Sequence, residues 1–277
     1  VTDSTGQTFQ PDAGRLTWEG WKWCEFHIAG PTAGHWGGAN DGKPHAPLKL
    51  DTPKGAGQLS EAATKTLQAL KDMILFEDAD VMVLNKPAGV LSIPSSPEAG
   101  NSEDTVLKRV REYLQFKRGH RTYVGMLHRL DRDTSGALAV ALSKDAHAAG
   151  RDNFKAHRFE RHYLALVQGI PDPPKGTIHA RISSGYRDGR RKLVDADKAG
   201  LDATTDYKVR ERLKDAALLE LKLHTGRQHQ IRLHLEKLGH PLIGERVYAG
   251  EHRAGSKPAS PKPVPKASRN MLHAWTL

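Results

Sequence analysis

The chain has a single cysteine, Cys24, among its 277 residues. One thiol excludes an internal disulfide framework and any cysteine-clustered zinc site, and it fits a reducing compartment. Long apolar runs are missing too: no stretch approaches the ~18 apolar residues that cross a bilayer, and the mean hydropathy is −0.59. The opening "VTDSTGQTFQ" has no basic n-region and no apolar h-region, so it does not read as a signal peptide. No G-x-x-x-x-G-K-[ST], G-x-S-x-G or H-E-x-x-H pattern occurs, which sets aside P-loop, serine-hydrolase and zincin chemistry. Acids are in deficit: 32 Asp and Glu face 42 Lys and Arg, a net charge of +10. That excess favours a polyanionic partner, of which nucleic acid is the commonest. An anionic membrane is a poorer fit, because no basic amphipathic helix with a large apolar face is evident.

Aromatics make up 6% of the chain and are unevenly placed. Trp18, Trp21, Trp23 and Trp36 all fall in residues 1–58, a stretch rich in Gly and Pro with no sustained helical or strand period. Such a stretch makes no core of its own, and an extended arm packed on the body or on a partner is expected. Residues 59–277 are patterned. "SEAATKTLQALK" reads as a short helix opening at Ser60, and "MILFEDADVMVLNKPAGV" as two strands around a turn at 77–80. "NSEDTVLKRVREYLQF" reads as a helix capped by Ser102 with acids in its first turn. "GALAVAL" and "RHYLALVQG" read as strands flanking a helix over 144–157. "GTIHARISSGYRDGRRKLVDADKAG" reads as a basic hairpin, and "ATTDYKVRERL" and "AALLELKLH" as paired strands. "TGRQHQIRLHLEKLGHP" predicts a helix opened by a Thr225/Gln228 capping box and stopped at Gly239. Residues 251–270 form a Pro- and Ser-rich basic linker before a last strand, "MLHAW". Strands outnumber helices and are mostly hairpin-connected, so the expected class is α+β with a mixed or mostly antiparallel sheet.

Two carboxylates stand out in "GMLHRLDRDTSGALAVALSKD". Asp131 lies among His128, Arg129 and Arg132; a carboxylate flanked by arginines is expected to be ionised and suited to nucleophilic attack or proton abstraction. On local pattern alone, a salt-bridged loop residue fits Asp131 equally well. Asp133 suits the hydrogen-bonded turn that Asp-Thr-Ser-Gly makes, and Ser135 a turn or cap position. The 15 histidines do not assemble a metal site by pattern: His224, His229 and His234 are five apart, which spreads them around a helix. Arg227 is placed in the first turn of its helix, where the dipole disfavours a cation. Pairing with a carboxylate such as Asp131, or with a phosphate, would account for it.

At these residues the chain resembles the RluA-type pseudouridine synthases. "HRLDRDTSG" (His128–Gly136) matches every fixed position of the H-R-L-D-x-x-T-S-G signature. "VLNKPAGVLSIP", "RHYLALVQG", "LHTGRQHQIRLHLEKLGHPLIGERVYAG" and "MLHAW" are similar to further family blocks in the family's order. The resemblance covers residues 70–250 and 271–275. It implies an α+β catalytic fold with a central basic cleft, isomerisation of uridine to pseudouridine in RNA, and no cofactor or metal. By motif position it makes Asp131 the catalytic carboxylate, attacking C1′ or taking a proton from C2′. Tyr163 is implied to stack on the uracil, Arg227 to pair with Asp131, Ile231 to floor the base, and Arg129 to hold the flipped nucleotide. His128 joins them at the substrate, and Arg187, Arg190, Arg191 and Lys192 form a hairpin tip expected to touch RNA.

Ribosomal RNA is the expected substrate, with tRNA as an alternative, and the arm is the expected contact for ribosomal or assembly proteins. No membrane partner is expected. A second reading is a non-catalytic ribosome-assembly factor that binds rRNA through the synthase fold. The chain departs from many relatives in showing no S4 domain within residues 1–58. Cytoplasm is expected for a bacterial source, and the mitochondrial matrix for a chain that has lost a transit peptide.

Overall fold

A computed structural model describes residues 67–100, 102–185, 190–248 and 267–277. The arm at 1–58, the start of the helix expected from Ser60, the hairpin tip with Arg187, and residues 251–266 of the expected linker lie outside the described residues. The fold is α+β, and every pairing of named strands with a recorded register is antiparallel. The described residues divide into two compact units. No described helix is long and apolar enough to cross a membrane.

The first unit holds residues 67–132 and 136–159, with 276–277. β1 (Ile74–Glu77) turns into β2 (Val81–Lys86). The turn is tied by Asp78, whose Oδ1 accepts from Asp80 N at 2.8 Å and Val81 N at 2.7 Å, the local bonding that favours Asp in turns. β2 pairs with β4 (Ser135–Ala141), from Val81 opposite Ala141 to Lys86 opposite Gly136. Every residue of β4 is buried. A run such as "SGALAVA" fits a strand covered on both faces, where alternation is lost. β3 (Gly125–Met126) adds a short pairing to β4.

The first helix, α1 (Val106–Arg118), buries Val106, Val110, Tyr113 and Leu114, the single stripe its spacing predicts. Its cap is Thr105, whose side chain accepts from Lys108 N, and no acid lies in the first turn. This corrects the expected Ser102 cap. Glu103 and Asp104 have other partners, Ser95 and Arg109. Thr105 reaches the free N–H groups because the turn starts three residues later than pattern suggests. Gly119 ends α1 in the left-handed region, at φ 73°. α2 (Lys144–Lys155) is capped by Ser143. Val81, Val83, Ala139, Ala141 and Ala146 form one core cluster of this unit.

The second unit holds residues 133–135 and 160–275 among those described. Its strands are β5 (Arg161–Gln168), β6 (Lys175–Ser183), β7 (Leu193–Val194), β8 (Gly200–Leu213), β9 (Ala216–Leu223) and β10 (Leu272–Thr276). Their order is β10-β5-β9-β8-β6-β7. The hairpins expected for "GTIHARIS…KLV" and "ATTDYKVRERL…AALLELKL" are present as β6–β7 and β8–β9. One core packs Leu164, Leu166, Ala216, Leu218, Ile243 and Met271. A second packs Ile182, Ala203, Leu233 and Tyr248, drawing α3 (Gln230–Lys237) onto the sheet.

Candidate active site

Asp131 is half-buried in the loop that joins β3 to β4. Two side chains from the "NKPAGVLS" segment bond the backbone on either side of it. Ser92 Oγ accepts from Leu130 N at 3.0 Å and donates to Leu130 O at 2.7 Å. Lys86, wholly buried, donates from Nζ to Pro87 O at 2.8 Å, Val90 O at 2.7 Å and Arg132 O at 2.9 Å. Gly89 N donates to that same Arg132 carbonyl at 2.9 Å. The residues before and after Asp131 are thus fixed by bonds to a segment about forty positions away, while its own backbone is carried between them. Burying an ammonium is costly unless its donors are used, and Lys86 uses three on carbonyls.

His128 also serves this loop. Its Nε2 accepts from Ala139 N at 3.0 Å, and its ring stacks on Phe154 at 5.1 Å between centroids. Accepting at Nε2 requires the ring to be unprotonated there. Arg129 is exposed and has no ion-pair partner among the described residues, so its guanidinium is available to a ligand.

In the second unit the segment from Asp133 to Ser135, which leads into β4, is held from the C-terminal segment. Arg269 Nη1 donates to Asp133 O at 3.1 Å and Nη2 to Ser135 Oγ at 3.3 Å, while Ser135 Oγ meets His273 Nδ1 at 2.9 Å. Burial pulls the Arg269 guanidinium below its usual range, against the charge of Asp133. Asp133 is a turn residue here, as its pattern suggests, whereas Ser135, expected at a turn or cap, is the first residue of β4.

Tyr163 is buried on β5, opposite Leu221 of β9. Arg161, two residues earlier, emerges on the same face of that strand. Burial lowers its guanidinium below the usual range, against the influence of Tyr163. Its Nη1 lies against Gly226: a Cβ added at Gly226 would stand 2.4 Å from it. This gives the glycine of "TGRQ" its reason, since a side chain would push Arg161 aside. Sequence reading passed over Arg161; the available signal was an arginine two positions before a tyrosine at the start of a largely apolar strand.

Arg227 is half-buried, and its Nε donates to Asp202 O at 3.1 Å. The expected Thr225/Gln228 capping box is not formed. Instead α3 starts at Gln230, after His229 in the left-handed region at φ 58° with no side-chain cap. Gln230, buried, organises the loop. Its Oε1 accepts from Thr225 Oγ1 at 2.8 Å and Arg227 N at 3.0 Å, and its Nε2 donates to Thr204 O at 3.0 Å and Thr205 Oγ1 at 2.9 Å. The glutamine two residues later does the work because the turn at His229 delays the helix. Ile231 is buried in the first turn of α3.

Arg191, expected at the RNA, is engaged within its own unit: Nε and Nη2 bond Gln228 Oε1 at 3.3 and 3.1 Å, and Nη1 bonds Ser183 O at 3.1 Å and Ser184 O. It pins the hairpin to the loop before α3. Lys192 is exposed. The "GERVY" block supports the same loop. Arg232 donates to Glu245 at 2.7 and 2.8 Å, a buried two-pronged pair, and Tyr248 OH meets His229 Nδ1 at 2.5 Å. Burial pushes the Glu245 carboxyl up, but Arg232 and the Val247 and Tyr248 N–H groups outweigh it and hold it below the usual range.

The RNA pseudouridylate synthase family model matches residues 80–237, which contain the Asp131 loop, Tyr163 and Arg227. The chain belongs to the RNA pseudouridylate synthase family. It is 36% identical over 184 residues to "Ribosomal large subunit pseudouridine synthase D" of Zymomonas mobilis, covering 65% of this chain and 57% of that protein. It is 35% identical over 207 residues to "Dual-specificity RNA pseudouridine synthase RluA" of Escherichia coli K12, covering 74% of this chain and 85% of that one. The synthase D of Nitrosomonas europaea is 35% identical, and 62% of its length is matched. The chain therefore spans about three-fifths of the length of the two synthase D relatives. Among solved structures, "Human RNA Pseudouridylate Synthase Domain Containing 4" shares the fold, with a TM-score of 0.59, 24% identity, and coverage of 78% of this chain and 87% of that one. Among the described residues of this synthase-family chain, no three His, Cys, Asp or Glu are grouped to hold a metal ion.

Proposed function

We propose that this chain is an RNA pseudouridine synthase acting on ribosomal RNA, with residues 59–277 as its catalytic domain. The observation that carries the reading is the Asp131 loop: a family-signature aspartate whose flanking peptides are clamped by buried Ser92 and Lys86. A clamp of that kind suits a carboxylate that must meet a sugar carbon where a misplacement of about 1 Å costs on the order of a hundredfold in rate. Asp131 either attacks C1′ or takes a proton from C2′. In both routes the N1–C1′ bond breaks, the uracil turns, a C5–C1′ bond forms, and the C5 proton is lost while N1 gains one. By motif position, Tyr163 packs on the uracil, Ile231 floors it, and Arg227 has a catalytic role.

A base cannot be turned inside a helix, so the nucleotide is flipped at a cost of a few kcal/mol. Exposed Arg129 and Lys192 offset that cost through phosphate contacts. The printed names of the relatives support the enzyme over a purely assembly-related role. The test is Asp131→Asn, assayed for pseudouridine in ribosomal RNA together with RNA affinity. Loss of product with affinity retained is expected; full activity in the variant would refute the reading.

A further inference from the structure

Among the described residues only Tyr123 and Leu201 are large apolar side chains left exposed. Tyr123 is 38% exposed, yet it is not loose. Its OH meets His147 Nδ1 at 2.5 Å, and His147 Nε2 lies 3.3 Å from Met126 O. With Nε2–H donating to that carbonyl, Nδ1 accepts from the phenol. The imidazole and the phenol ring are held 49° apart, 5.8 Å between centroids. A tyrosine that merely faced solvent would need no such clamp.

The residues before it, "KRGHR", carry three cations and no acid. Lys117 is paired with Glu77 at 3.0 Å. Arg118 complements the C-terminal dipole of α1. Arg121 lies beyond the helix, is exposed, and has no ion-pair partner among the described residues. Exposed Arg151, four residues after His147 on α2, adds charge on the same helix face. An exposed ring fixed at its hydroxyl, two residues after an exposed arginine and bonded to a helix that carries another, is a combination suited to single strands, by stacking a base and holding its phosphates.

We propose that Tyr123, Arg118 and Arg121 form a docking patch for single-stranded RNA on the first unit. The ring takes an unpaired base and the arginines hold the flanking phosphates. The patch rests on the reading of RNA as substrate and says where a strand beside the target uridine runs. An acidic protein could use the same cations, but it would have less use for an exposed aromatic ring fixed through its hydroxyl.

The test uses the full chain and a fluorescein-labelled oligouridine of about 12 nucleotides, followed by anisotropy. Tyr123→Ala is expected to raise Kd about tenfold, the scale of one lost base–aromatic stack. Arg121→Gln, which alters no buried group, is expected to reduce the slope of log K against log salt by about 0.7. Unchanged affinity in folded Tyr123→Ala, or an unchanged slope in Arg121→Gln, overturns the patch. If Tyr123→Ala melts at a lower temperature than wild type, the Arg121→Gln slope decides. Failure of the wild-type chain to bind oligouridine, with binding of polyglutamate instead, also overturns it in favour of an acidic protein partner. Pseudouridine assays on the same samples separate the two readings. Product from wild type together with wild-type affinity in Tyr123→Ala removes only the patch. Patch effects on binding with no product from wild type remove only the synthase.

Discussion

Ser92→Ala isolates the clamp beside Asp131. Ser92 is 2% exposed and its hydroxyl bonds both the N–H and the C=O of Leu130, itself 6% exposed. Neither of those backbone groups has another hydrogen bond among the described residues. Removing the hydroxyl therefore strands one donor and one acceptor. Each buried unmade bond costs about 1–3 kcal/mol, and a water filling the vacated space would recover part of that, so a net loss of about 2–4 kcal/mol is expected. Against a typical stability of about 5–15 kcal/mol the variant still folds.

The catalytic effect should exceed the folded fraction lost. A peptide free to shift by about 1 Å next to the reacting carboxylate costs on the order of a hundredfold in rate. The assay pairs urea unfolding with single-turnover pseudouridine formation at saturating RNA, at a temperature where both proteins are folded. The expected result is a lower unfolding midpoint, kcat down by one to two orders of magnitude, and little change in RNA affinity. Wild-type stability and rate in Ser92→Ala would show that the clamp holds nothing the chemistry needs. A fall in affinity matched by the fall in rate would place Ser92 at the RNA instead.

Two further outcomes follow from the second unit. Gly244 sits at φ +83°, and a Cβ there would stand 1.9 Å from Arg269 O; Gly244→Ala combines left-handed strain with overpacking and should cost about 2–5 kcal/mol, read by thermal unfolding. His234 is buried, and burial, with Lys237 and His179 nearby, lowers its pKa to about 4. The unfolded chain then binds the extra proton first, so its stabilising share is complete above about pH 6.5 and is lost as pH falls towards 4, a change of about 3 kcal/mol. Denaturant titrations across that window should show His234→Gln losing less stability on acidification than wild type; equal losses would refute the assignment.

The elements show what local pattern carries. Strand alternation in "ATTDYKVRERL" and "AALLELKL" is a property of neighbours two apart, and it placed β8 and β9. The apolar stripe of α1 was legible for the same reason, yet its cap was not. Ser102 and Thr105 both precede the stripe, and only the path of the loop, with Ser95 and Arg109 claiming Glu103 and Asp104, leaves Thr105 at the helix start. The helix after Arg227 failed similarly. Thr225 and Gln228 have capping-box spacing, but the left-handed turn at His229 delays the helix and hands the role to Gln230.

The sequence by itself determined the composition-level class, the strand and helix pattern, and the motif order that marks Asp131, Tyr163 and Arg227. Those depend on residue type and short spacing, which a linear string records. Tertiary structure alone decided what holds them. Ser92 and Lys86 reach the Asp131 loop across 38 and 46 positions, and Arg269 reaches Asp133 across 136. Bonds of that range arise from where the folded backbone brings a carbonyl, and no periodicity encodes it.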